Sequence, residues 1–100
     1  MVSEKQVMEK ISTVIDPELN LNLVDLGLIY ETTIEENKIS VIMTLTSPGC
    51  PLAPMLEGQV RDALLSFKEI KKVDVDIVFD PPWNPSMMSE EAKLELGFGI

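Results

Sequence analysis

The sequence predicts a small α+β fold, one domain of residues 1–100 in the order α-β-β-α-β, with a three-stranded mixed sheet, its helices on one face, and a short C-terminal helix. Three observations predict it. Apolar residues recur at helical spacing after Ser3 and again after Pro51, two alternating runs meet across Glu35-Glu36-Asn37-Lys38, and a third alternating run follows the second helix. A strand, helix, strand succession whose strands lie parallel requires a right-handed crossover, which locks the second helix and the last two strands into one sheet.

Ser3-Glu4-Lys5-Gln6 reads as a capping box, so a helix begins at about Glu4. Val7, Met8, Ile11, Val14 and Ile15 form one apolar face, and the helix is expected to stop near Ile15 because Asp16 precedes a proline. An irregular connector follows, with asparagines suited to turns and a Gly27 that permits a close approach or an unusual backbone conformation. Leu28, Tyr30, Thr32 and Ile34 mark one face of the first strand, and Asn37 is the expected left-handed turn residue. Ile39, Val41, Met43 and Leu45 face the core from the second strand. Leu52, Met55, Leu56, Val60, Ala63, Leu64 and Phe67 trace the second helix, with Pro51 expected in its first turn. Val73, Val75, Ile77 and Phe79 supply the third strand's inner face, and Asp74, Asp76 and Asp80 its outer one. The aspartates lack the glycine and terminal glutamate of a calcium loop, so they read as a solvated face. Ile29, Ile42 and Val78 stand among polar residues on the outer face of the sheet, either as isolated hydrophobes or as a partner surface.

Composition restricts function further. Forty-five per cent hydrophobic and 25% charged residues describe an ordinary soluble globule. Seventeen acids against eight bases give a net charge of −9, which offers nucleic acid no broad basic surface. No apolar run approaches a membrane span, and the first residues lack a signal peptide's apolar stretch, so the chain is expected to be cytoplasmic and without a membrane partner. The absence of histidine removes the commonest general base and transition-metal ligand, and with no histidine to activate a thiol an enzyme is not expected.

Chemistry is expected in the stretch Thr44-Leu45-Thr46-Ser47-Pro48-Gly49-Cys50-Pro51, which leaves a strand, turns and launches a helix. The unpaired N–H groups and positive pole of a helix start favour a thiolate at Cys50, the only cysteine, whereas nearby acids oppose it and burial would make it a plain core residue. Asp16 and Glu18 could bind a cation, shift each other's protonation, or simply cap and turn the chain. Asp80-Pro81-Pro82-Trp83 and Met87-Met88 could form either a lid packed over the domain or a recognition surface built on Pro82, Trp83 and Met88.

Taken together, Asp16-Pro17-Glu18, Val24-Asp25-Leu26-Gly27-Leu28-Ile29-Tyr30, Thr44-Leu45-Thr46 with Pro48-Gly49-Cys50-Pro51, Asp80-Pro81-Pro82-Trp83 and Met88-Ser89 resemble the small iron–sulfur assembly domain of SufT and PaaD-like proteins. The resemblance covers nearly the whole chain. It implies a metal–sulfur cluster biosynthetic protein that works in maturation rather than catalysis, with Cys50 as the reactive or metal-ligating residue and Asp16, Glu18 and Thr46 gathered around it. The implied partners are assembly machinery and client apoproteins. The PaaD-like branch implies an alternative, an accessory subunit of a multicomponent oxygenase with no metal of its own. Ligand counting limits the cofactor, because common clusters take about four cysteine ligands and this chain supplies one. One chain is therefore expected to hold iron or a cluster only transiently. A homodimer pairing two Cys50 residues would still need further ligands.

Overall fold

The computed structural model describes residues 2–17, 19–46 and 51–97. Helix α1 spans Glu4–Ile11, and its capping box is formed, with Gln6 N donating to Ser3 Oγ and Ser3 N to Gln6 Oε1. The helix ends four residues earlier than the apolar spacing predicts. The hydroxyls of Ser12 and Thr13 donate back to the carbonyls of Glu9 and Lys10, which closes the last turn. Ile15 consequently leaves the apolar face and is 43% exposed.

The connector contains a two-residue antiparallel ladder that alternation could not reveal, β1 (Ile15–Asp16) with β2 (Leu21–Asn22). Its tight turn includes Asn20 at φ 58°, a left-handed conformation that asparagine tolerates. The main sheet has β3 (Ile29–Glu35), β4 (Lys38–Met43) and β5 (Lys72–Ile77) in that order, antiparallel then parallel, as expected. A bulge sets Ile29 and Tyr30 against the partner strand, so Ile29 also packs on the core. At the hairpin Glu36 rather than Asn37 takes the positive φ. Asn37 has another task, since its carbonyl accepts the N–H groups of Lys71 and Lys72 at the entry to β5.

Helix α2 spans Ala53–Leu65, so Pro51 precedes the N-cap Leu52 and Pro54 stands in the first turn, where its missing N–H costs no helical bond. Strand β5 ends at Ile77, leaving Phe79 41% exposed rather than in the core. Val7 and Ile11 of α1, Leu56, Val60 and Leu64 of α2, and Ile39, Val41, Met43 and Val73 of the sheet share one core, which places both helices on one face. A short C-terminal helix, α3 (Glu90–Leu96), starts at the N-cap Ser89 and stops at Gly97 in the left-handed conformation. No helix among the described residues is long and apolar enough to cross a membrane.

Candidate functional site

Asp16 lies on β1 and is 4% exposed. Its Oδ1 accepts the N–H of Leu19 at 3.3 Å and its carbonyl that of Asn20 at 2.7 Å, so the carboxylate is held within a tight turn. Proline at position 17 fixes φ at the start of that turn. Thr46 is half-buried, beyond the end of β4. Glu18 and Cys50 lie outside the described residues, and helix α2 begins three positions after Cys50.

Backbone hydrogen bonds connect the segments that carry Asp16 and Thr46. Val14 O accepts from Leu23 N at 3.1 Å, Leu23 O from Leu28 N at 3.2 Å, and Leu28 O from Thr44 N at 2.8 Å. Fully buried Leu23, Leu26 and Leu28 anchor the connector that makes these bonds. Sequence alternation put Thr44 on the outer strand face. It is fully buried instead, and its Oγ1 has no hydrogen-bond partner among the described residues. A buried hydroxyl of this kind opposes folding, and no sequence signal distinguishes it from an ordinary strand threonine.

The two remaining motifs meet each other in a latch. Trp83 Nε1 donates to Leu26 O at 2.7 Å, Tyr30 Oη to Pro81 O at 2.8 Å, and Ser89 N to Asp25 O at 2.8 Å. Gly27, at φ 76°, lies so close to this segment that an added Cβ would stand 2.2 Å from Met87 O. Asp25 is fixed in turn by Asn22, which donates from Nδ2 to its Oδ2 and accepts its N–H. These contacts give the residues of Val24–Tyr30 and Asp80–Ser89 a shared structural role. They are contacts of the kind a lid packed over the domain makes. Met88 is only 4% exposed and belongs to the core, and Trp83 is half-buried with its indole N–H engaged; Pro82 alone of the three is exposed.

Among the described residues no group of three or more Cys, Asp or Glu side chains is disposed to hold a metal ion. Iron carried as cargo would therefore need ligands beyond the described side chains. Cys50 carries the one thiol in the sequence, a soft donor of the type that suits iron–sulfur chemistry.

Residues 4–77 match the family model described as iron-sulfur cluster assembly protein. The chain is 45% identical to the Fe-S protein maturation auxiliary factor of Porphyromonas gingivalis over 96% of its own length and 92% of that protein's. It is also 45% identical to the Fe-S protein maturation auxiliary factor SufT of Staphylococcus aureus, over 84% of this chain and 97% of that one. Among solved structures, a domain of unknown function from Bacillus anthracis superposes with a TM-score of 0.89 at 38% identity, covering 96% of this chain and 92% of that chain. The family model over residues 4–77 agrees with relatives and a solved structure that match nearly the whole chain, and the chain belongs to the iron–sulfur cluster assembly protein family.

Proposed function

We propose that this chain is a maturation factor for iron–sulfur proteins, binding iron or a cluster transiently through Cys50 and passing it to client apoproteins rather than catalysing a reaction. On this reading Asp16, Glu18 and Thr46 are the polar residues that act together with Cys50. The main support from geometry is the buried residue Asp16, whose segment is tied by three successive backbone hydrogen bonds to Thr44 at the exit of β4, six positions before Cys50 in the sequence. Relatives matching almost end to end bear the name maturation auxiliary factor, which fits a carrier or adaptor better than an enzyme. A single thiolate makes retention weak, as a donor that must release its cargo requires. Its partners on this reading are assembly proteins and apoproteins, and its setting the reducing cytoplasm.

Anaerobic reconstitution with iron and sulfide tests the reading. Wild type should retain iron and show a cluster absorption spectrum after desalting, and Cys50→Ser should lose both while its circular dichroism stays that of a folded protein. Equal iron content in the two proteins, or none in either, would overturn the role of Cys50 as carrier ligand.

A further inference from the structure

Strand β3 is an edge of the sheet, pairing with β4 on one side and, among the described residues, with no strand on the other. Alternate residues along such an edge turn backbone N–H and C=O groups outward, unpaired except by water. Beside this edge runs an open groove of about 360 Å³ between β3 and the N-terminal half of α1, lined by Glu4, Met8, Ile29, Tyr30, Glu31 and Thr32. Glu4 and Met8 stand one turn apart on the same face of α1, so the helix presents a carboxylate and a half-buried thioether to the groove. The Tyr30 ring is fixed through its hydroxyl to Pro81 O, which makes that part of the floor rigid. Glu4 and Glu31 are exposed, and neither belongs to an ion pair among the described residues.

We infer that the β3 edge and its groove form a docking site for an extended segment of a partner protein, with basic and apolar side chains in alternation, added as a fourth strand. Side chains of an added strand point to opposite faces in turn. Those on the helix side would cover Met8 and Tyr30, and those between them would reach Glu31, with Glu4 available to a basic group at the end of the groove. Residues 29–32 offer about 13 Å of edge, room for four or five partner residues. Charge selects against a second copy as the occupant. Antiparallel pairing of two β3 strands would bring Glu31 and Glu35 of each copy against those of the other, in chains that each carry a net charge of −9. The inference does not depend on metal binding at Cys50.

The probe is a fluorescein-labelled heptapeptide of alternating valine and lysine, titrated with wild-type protein and followed by anisotropy. Binding should saturate, weaken roughly tenfold in Glu31→Lys and Glu4→Lys as expected for lost charge pairs, and be absent for a valine–glutamate heptapeptide. N-methylation of the peptide's alternate amides should abolish binding in one register and leave it nearly intact in the other, because only one edge of the added strand faces β3. Amide shifts in NMR should centre on Met8 and residues 29–32. The inference is overturned if no saturable binding occurs, if the charge reversals or both methylation registers leave affinity unchanged, or if the shifts centre on Ser40, Ile42 and Asp76. Sedimentation showing a dimer that Glu31→Lys breaks or tightens would overturn the partner assignment by making a second copy the occupant.

Discussion

Thr44 is sealed from solvent where β4 runs out, and its hydroxyl finds no acceptor among the described residues although its N–H is bonded to Leu28 O. Leaving a hydroxyl dry and unpaired typically costs about 1–3 kcal/mol. Valine has nearly the same shape and no polar group to desolvate. Thr44→Val should therefore raise stability by about 1 kcal/mol, read as a higher urea midpoint at an unchanged slope. A lower midpoint would mean that the hydroxyl is paired in solution. The contrast with Thr46 is instructive, because two residues along the chain the side chain is already half-open to water. The change from sealed to half-open falls within three residues at the exit of β4.

At the scale of elements, strands and helices were largely legible because period-two and period-3.6 patterns report one-sided burial directly. Errors fell where a local hydrogen bond competes with the pattern. Ser12 and Thr13 end α1 before its apolar spacing runs out, and Asn37, occupied by β5, leaves the positive φ to Glu36. The β1–β2 ladder is too short to alternate visibly. Grouping Asp16, Glu18, Thr46 and Cys50 rests only on the resemblance to a family, since no spacing rule links residues so far apart in sequence. Pairing of β4 with β5 also carries a titration signature. Lys38 Nζ lies 3.0 Å from Asp74 Oδ2, and this charge-assisted hydrogen bond, rather than the weaker effects of Lys72 and Arg61, holds the Asp74 carboxyl below its ordinary value of 3.8. A depressed carboxylate stabilises the fold above its unfolded pKa and loses that contribution as pH falls through the folded value. The melting temperature of Asp74→Asn should thus lie slightly below wild type at neutral pH and converge with it as pH falls from about 5 to about 2. Both groups are solvent-exposed, so high salt should shrink the neutral-pH difference. A gap that persisted at acid pH would show that Asp74 acts through packing instead.

For the whole molecule, the central question is whether the segment from Asp80 to Gly97 is part of one cooperative unit or a flap laid over a finished domain. Its contacts argue for one unit. Met88 and Ala92 are buried in the same core as α1, α2 and the sheet. Hydrogen bonds join the segment to Leu26, Tyr30 and Asp25. The connector receiving them also links Val14 to Thr44, so detaching the latch would loosen the exit of β4. Trp83, the only tryptophan, reports on the latch alone, whereas far-ultraviolet circular dichroism reports mainly on α1, α2 and the sheet. Urea unfolding followed by the two signals should give coincident midpoints and equal slopes, the behaviour of a two-state domain. Trp83→Phe, which keeps an aromatic ring but removes the donor to Leu26 O, should lower the dichroism midpoint by the equivalent of about 1 kcal/mol. An earlier tryptophan transition would instead show a latch that opens below the global unfolding free energy.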